Sequence, residues 1–333
     1  MATLAATNPT LMDIAKLTEP DGGIVTDVVE MMKQDNEILL DATWQEANGG
    51  TFHRSSIRTG IPEPTFRKLY GGVQPTKSTS AKIREAVGML EAYAEVDKAL
   101  ADLNGNSAAW RMSEELPHIE GFAQKVARYV IYGNEATEPE GFTGLAPRFN
   151  DQSAANGENI ITDAATPDGT DNTSIWLVGW GPNTVHGIYP KGSQAGLQIA
   201  DKGQVTIENV DSNGGRMEAY RTHYRWDCGL CVRDWRYVVR INFDYENLVK
   251  DAATGPDLTD LMAQAMELIP NKNGVRLAFY GNRGTKSWLR RQMTNKTKNS
   301  TLSMENMAGR HVMSFDGVPF RRVDQILYTE AGI

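Results

Sequence analysis

Two cysteines three positions apart are the first candidates for chemistry. Cys228 and Cys231 have the spacing of a thioredoxin-type redox pair, and His223 could join them in a metal site. Redox chemistry needs the first cysteine at a helix N-terminus, where the helix dipole lowers its pKa. The flanking segments, 220–227 and 232–242, are rich in aromatic and β-branched residues, which predicts strands. Since no second CxxC completes four zinc ligands, the sequence predicts two structural cysteines and no metal.

A glycine-rich segment, 281–287, lies between a predicted strand and a predicted helix, as a phosphate-binding loop would. The Walker pattern requires four residues between its glycines and then Lys-Ser/Thr. Here only Asn282 and Arg283 separate the glycines, and Thr285 precedes Lys286, which favours a simple turn. A basic cluster follows that could meet DNA or an acidic partner, although a solvated helix face is the simpler interpretation. Its members are Arg283, Lys286, Arg290, Arg291, Lys296 and Lys298.

The other reactive side chains form no recognisable constellation. The sequence contains neither an HExxH pair nor a G-x-S-x-G nucleophile elbow, and no two carboxylates can be assigned to acid–base work. The histidines are scattered: His53, His118, His186, His223 and His311. The sequence therefore predicts no catalytic, cofactor-binding or metal-binding residue.

Composition is that of a folded protein of one large or two smaller domains. The chain has 333 residues, of which 40% are hydrophobic and 23% charged, with a formal net charge of -8. The acidic balance argues against a surface that binds nucleic acid throughout. Two cysteines predict a reducing cytoplasm, and the sequence contains no predicted signal peptide or membrane span.

The segments that must position these residues begin with an unusual N-terminal region. Residues 1–40 are polar and cannot bury a core alone. Two extended runs, 42–47 and 51–57, flank Asn48-Gly49-Gly50, which predicts a tight hairpin. Because both runs are polar on both faces, the ribbon is marginal by itself. It predicts either a contact with a neighbouring subunit or a mobile surface hairpin.

Further along, helical and extended patterns alternate. The clearest helix is 107–132, although Pro117 should kink it or delay its start. Residues 80–100 fit both a helical stripe and a strand, so periodicity leaves that segment open. The remaining predicted strands are Ser174–Trp180, Val185–Tyr189, Met217–Trp226, Arg236–Asn242 and Val275–Tyr280, and the remaining helices are Leu258–Ile269 and Thr285–Met293.

Several stretches, in this order along the chain, resemble the major capsid proteins of tailed bacteriophages, above all short-tailed ones. They include 41–49 (DATWQEANG), 58–62 (RTGIP), 142–149 (FTGLAPRF), 189–193 (YPKGS), 234–241 (DWRYVVRI) and 322–331 (RVDQILYTEA). The resemblance implies an α+β protein of the Hong Kong 97 capsid type. Its implied parts are an N-terminal arm at 1–40, an extended loop at 41–80, a peripheral domain at 81–134 and 301–333 with a spine helix at 107–132, and an axial domain at 135–300. By this mapping, 80–100 becomes a long strand.

The same resemblance implies a mechanical function. Subunits would self-assemble into hexamers and pentamers that form an icosahedral shell around the phage genome. Implied partners are other copies of the chain, portal, scaffolding and decoration proteins, and packaged double-stranded DNA on the inner face, with no membrane and no cofactor. Assembly is expected in the host cytoplasm, and the protein is expected in the virion capsid.

Contact between subunits is expected in the arm and the extended loop. The expected contact residues are Trp44, Asn48, Gly49, Phe52, Arg54 and Phe66. Some capsids of this fold cross-link through a loop lysine, for which Lys68 and Lys77 are the candidates here. Two alternatives remain open at this point: a cellular nanocompartment shell of the same fold, and a two-domain ligand-binding enzyme that uses residues 280–287.

Overall fold

The computed structural model describes residues 34–103, 108–163, 169–208, 215–249, 255–295, 302–307 and 310–333. Most of the expected arm, 1–40, and of its short helical stretch, 25–39, therefore lies outside the described residues. The chain divides into two compact units. None of the described helices is long and apolar enough to cross a membrane.

The described elements mix helices and strands along the whole chain, as an α+β protein does. The helices are α1 (Ile38–Asp41), α2 (Lys98–Leu103), α3 (Ala108–Tyr132), α4 (Leu258–Leu268) and α5 (Arg283–Asn295). The strands are β1 (Trp44–Glu46), β2 (Phe52–Gly60), β3 (Thr79–Ala86), β4 (Gly88–Asp97), β5 (Ile160–Thr162), β6 (Asn172–Trp180), β7 (Val185–Tyr189), β8 (Gln198–Glu208), β9 (Arg216–Val232), β10 (Val238–Asp244), β11 (Arg276–Gly281), β12 (Leu302–Met307), β13 (Arg310–Phe315) and β14 (Val318–Arg322).

The first unit contains Met89–Lys125 and Gly196–Asp227. In it, β8 pairs antiparallel with β9. Phe122 on α3 packs with Ala94 and Tyr224 in a small buried cluster. The compact units group segments differently from the expected peripheral and axial domains, which are defined by places in an assembled shell and stay a prediction.

The second unit is built around a fully buried strand. All residues of β6 are buried, and β6 pairs antiparallel with β10 on one side and with β11 on the other. β11 continues parallel into β14. Helix α4 covers this sheet, with Met262 and Ala265 fully buried beside Ile175 and Phe279. Asp257 caps the helix by accepting from the backbone of Thr259.

Most predicted elements are confirmed, including the helix expected at 107–132. The segment 80–100 is extended as expected, but it forms two strands, β3 and β4, which are interrupted at Val87, and its last residues begin α2. Helix α3 continues through Pro117 without interruption. Its apolar stripe is buried only in part, because Phe122 and Val126 are 5% and 2% exposed whereas Met112 and Leu116 are 64% and 47% exposed. The sequence pattern therefore includes apolar residues that the described part of the chain leaves exposed.

The predicted tight hairpin between 42–47 and 51–57 is wrong. β1 pairs parallel with β7, and β2 pairs antiparallel with β3, which lies beyond a long connection. Neither Gly49 nor Gly50 has the positive φ that a two-residue hairpin turn requires. The hairpin is instead formed by β2 and β3, with residues 61–78 as its tip, and the extended loop expected at 41–80 stays a prediction.

Candidate subunit-contact site

The buried carboxylate of Asp41 fixes the chain just before the first expected contact residue, Trp44. Asp41 at the end of α1 accepts a hydrogen bond from the Tyr280 hydroxyl at 2.9 Å. It also pairs with the guanidinium groups of Arg276 and Arg321, the latter at 3.2 Å. The Tyr280 hydroxyl in turn accepts from the indole N–H of Trp180 at 2.7 Å. Because every partner lies on the buried sheet or its edge, β1 starts from a fixed position.

Trp44 lies against the protein's own sheet. It stands opposite Gly187 in the β1–β7 ladder, and its indole is half-buried there. A Cβ atom at Gly187 would lie 2.5 Å from Trp44 Cε3, so only glycine leaves room for the ring. Trp44 was expected between subunits; within one subunit it packs on this glycine.

Asn48 and Gly49 shape the passage from β1 to β2. The Asn48 side chain donates to the Arg54 carbonyl at 2.6 Å and accepts from the Arg54 backbone N–H at 2.8 Å. The Asn48 amide therefore makes the two backbone hydrogen bonds to Arg54 that a neighbouring strand would otherwise make. A Cβ at Gly49 would come within 2.7 Å of the Phe52 carbonyl oxygen. Both residues thus position β2 and do not form the turn that their types suggest.

Phe52 relieves a charge conflict at the base of the hairpin. Arg54 and Arg84 are directly opposite in the β2–β3 ladder, where like charges are unfavourable. Their guanidinium groups lie 4.6 and 5.2 Å from the centre of the Phe52 ring. Both distances allow cation–π attraction to the ring, which stabilises this pairing.

A buried ion pair fixes β3 within the second unit. Arg148 donates to both carboxylate oxygens of Glu85 at 2.7 and 2.6 Å. The same guanidinium donates to the carbonyls of Thr143 and Gly144. The Glu85 side chain is only 5% exposed, so the pair depends on these additional hydrogen bonds. The base of the hairpin is therefore fixed.

The tip, in contrast, makes no strand pair with the rest of the described chain. β2 and β3 form a two-stranded sheet of their own, and residues 61–80 are all exposed. This exposed segment carries several large apolar side chains: Ile61 at 87% exposure, Phe66 at 107%, Leu69 at 90%, Tyr70 at 103% and Val73 at 53%. Apolar side chains grouped on one exposed segment mark an interaction surface.

The structure thus separates the six expected contact residues into two sets. Five of them lie on β1, on β2 or between the two, and Phe66 lies at the tip. Sequence reasoning missed Gly187, the Glu85–Arg148 pair and four further apolar tip residues. The tip could have been found from its apolar residues, which occur between prolines and without any period; nothing in the sequence pairs Gly187 with Trp44.

The segments weighed for chemistry have structural roles in the second unit. Helix α5 begins immediately after β11, and Asn282 caps it by accepting from the Thr285 N–H at 2.8 Å. The Gly284 N–H donates to the Tyr328 hydroxyl at 3.0 Å. These N–H groups are therefore bonded within the protein and are not presented to a phosphate. Burial raises the pKa of Cys231 to about 11, the opposite of what a redox cysteine needs.

Comparison with known proteins supplies the class. The chain aligns over its whole length with a protein in the cryo-EM structure of bacteriophage Epsilon15, at 40% identity and a TM-score of 0.78, covering 99% of that chain. A Mycobacterium phage Adephagia structure matches at 11% identity and a TM-score of 0.47, over 71% of this chain and 98% of that one. An encapsulin of Synechococcus elongatus PCC 7942 matches at 11% and 0.43, over 65% and 89%. No curated protein matches the sequence.

The fold is that of a phage shell subunit of the Hong Kong 97 type. The family model described as major capsid protein GP7 matches residues 19–333. The chain belongs to that family. It is therefore a structural protein of the virion capsid, and the expected resemblance to phage capsid proteins is confirmed.

Proposed function

We propose that copies of this chain form hexamers and pentamers, that these close into an icosahedral shell around packaged DNA, and that the β2–β3 hairpin joins neighbouring subunits. The observation that carries the proposal is the tip, where Phe66 and Tyr70 are fully exposed on a hairpin whose base is fixed. An isolated two-stranded ribbon is marginal in water. A neighbouring subunit would cover the apolar tip and stabilise the ribbon at the same time.

The energy available from the tip is large when repeated over a shell. Full burial of a large apolar side chain contributes about 1.5–3 kcal/mol. Four side chains at the tip are at least 87% exposed, so burying them offers roughly 6–12 kcal/mol per subunit before the cost of ordering the loop. Only part of that sum appears as net binding, but even part of it is sufficient for association.

The remaining expectations extend this proposal. The arm at 1–40, the peripheral segments 81–134 and 301–333 and the axial segment 135–300 would take the positions that the capsid fold gives them. Trp44, Asn48, Gly49, Phe52 and Arg54 would hold the hairpin at the angle a neighbour requires. Portal, scaffolding and decoration proteins would bind the assembled shell, which would form in the host cytoplasm. The net charge of -8 supports a particle that stays soluble and does not adhere to DNA.

A tip replacement tests the proposal. Gly60 and Thr79 are cross-strand partners, so an Asn-Gly turn in place of residues 61–78 should close the same hairpin. We expect a soluble subunit with wild-type thermal stability that forms no closed shells in negative-stain microscopy. A second variant, which separates loop length from apolar contact, keeps the full loop length and changes only the exposed apolar residues to serine; it should also form no closed shells. Normal shells from both variants would contradict the proposed role of the tip.

The same particles also separate the genome shell from the nanocompartment alternative. Particles purified from infected cells should contain double-stranded DNA and have the density of filled capsids. Particles that enclose a protein cargo and no nucleic acid would refute the part of the proposal that concerns the genome.

A further inference from the structure

Three metal-ligand side chains converge where the hairpin base meets the main sheet of the second unit. His53 lies near the start of β2, while His186 on β7 and Cys231 on β9 are cross-strand partners. One ligand atom from each lies within 4.8 Å of the other two. The two imidazole rings are nearly perpendicular, with centres 5.9 Å apart.

His186 is the independent sign that something binds here. It is 0% exposed, and neither of its ring nitrogens meets hydrogen-bond geometry, although the Gly181 backbone lies close enough to raise its pKa. A buried polar group without a partner costs about 1–3 kcal/mol. The hydroxyl of Ser55, on the same strand as His53, is likewise buried and lies beside the Cys231 thiol, whose pKa it lowers. Such a group requires an explanation, and a bound ion is one of them.

We propose that His53, His186 and Cys231 bind a divalent zinc-class ion, with a water molecule as the fourth ligand. Imidazole and thiolate are the donors that zinc prefers. Zinc–ligand bond lengths place tetrahedral ligand atoms about 3.3–3.6 Å apart. Side-chain movements of about an ångström would therefore bring the three ligand atoms to these distances. The weak contact from the Asn48 N–H to His53 Nδ1, at 3.4 Å, is readily exchanged for a metal bond.

Both histidines have the protonation state that a metal requires. Burial lowers the pKa of His186 to about 4, with His53 and Arg233 adding to the effect and the Gly181 backbone opposing it. Burial and then Arg233 also lower the pKa of His53, against an opposing effect of Glu85. Neutral imidazole is the form whose lone pair binds a metal.

The thiol must lose its proton to the solvent when the ion binds. Burial and then Glu85 raise the pKa of Cys231, while Arg148, Ser55 and Arg233 lower it. A bound divalent cation deprotonates a coordinating thiol outright, so each ion bound releases one proton. The Ser55 hydroxyl is placed to donate to the resulting thiolate.

Metal binding at this position would tie the hairpin to the sheet. His53 belongs to the two-stranded sheet of β2 and β3, whereas β7 and β9 belong to the large sheet. The metal would therefore stabilise the base of the hairpin within one subunit. This inference is independent of how subunits assemble, because all three ligands come from a single chain.

The test is metal binding by the full-length unassembled subunit, stripped with a chelator and titrated with Co²⁺ and Zn²⁺. We expect one ion per chain and a thiolate-to-cobalt charge-transfer band in the wild type. Cys231→Ser should lose the band, and Cys231→Ser and His53→Gln should weaken binding by more than the roughly 10–100-fold that outer-sphere partners typically contribute. Cys228→Ser, which changes the other buried cysteine of β9, is the matched control and should bind as the wild type does.

Two results would overturn the proposal. One is a wild-type subunit that binds neither ion stoichiometrically. The other is Cys231→Ser binding cobalt with the wild-type spectrum and affinity. The wild-type titration decides the question even if a variant fails to fold. Because His53 is half-buried, whereas His186 and Cys231 are buried, His53→Gln should disturb folding least.

Discussion

Removing the Phe66 ring should weaken assembly without affecting the folded subunit. The side chain is 107% exposed, so Phe66→Ala removes no contact within the subunit, and its stability should change by no more than about 0.5 kcal/mol. If a neighbour buries the ring, the loss is about 1.5–3 kcal/mol per subunit. Since about 1.4 kcal/mol corresponds to a factor of ten, the threshold concentration for assembly should rise roughly 10- to 150-fold.

Light scattering against subunit concentration measures that threshold, and thermal unfolding of the unassembled subunit checks the fold. Phe66→Leu, which keeps most of the apolar area, is the matched control and should stay close to the wild type. An unchanged threshold for Phe66→Ala, with unchanged unfolding, would refute the reasoning. A lowered unfolding temperature would instead show that the ring contacts its own subunit.

Three further substitutions test contacts that hold the second unit together. Gly187→Val should destabilise the subunit by about 1–3 kcal/mol in urea unfolding, since a Cβ there overlaps the indole on β1; wild-type stability would show that the ring moves freely. Arg148→Met should cost about 3–5 kcal/mol by leaving the buried Glu85 carboxylate unpaired, and pairing it with Glu85→Leu should recover part of that loss. Glu330 forms a buried ion pair with Arg240, whose side chain is 6% exposed, so Glu330→Leu should cost a similar amount by removing the carboxylate partner of that guanidinium. The double variant Arg240→Met/Glu330→Leu should again lose less stability than the single one. Additive losses of stability would contradict the coupling of the two residues.

The core was predictable because its signals are local. The period of α4, its cap at Asp257 and the apolar runs of β6 and β10 each follow from neighbouring residues. Their burial confirms those patterns within the described chain. The predicted strand at 80–100 needed the family resemblance, because alternation and a helical stripe coexist in the same residues.

The tight hairpin was wrong because Asn48 and Gly49 carry a turn signature that the tertiary contacts override. The Asn48 side-chain amide forms hydrogen bonds with the Arg54 backbone, and the Ala47 backbone N–H donates to the Tyr189 carbonyl at 2.8 Å. The partner strand of β1 is more than a hundred residues away in sequence. Local propensity contains no information about such a partner.

The expected contact residues stay a prediction, because the sequence contains little on which to base one. A side chain that is buried between chains has no partner in its own sequence, so no period or cap identifies it. The tip shows this most clearly, because Ile61, Phe66 and Leu69 would be a solubility liability in an isolated protein. The same applies to Met112 and Leu116, which continue the apolar stripe of α3 onto an exposed surface. Apolar residues that a fixed framework leaves uncovered are therefore where assembly contacts should be sought in this chain.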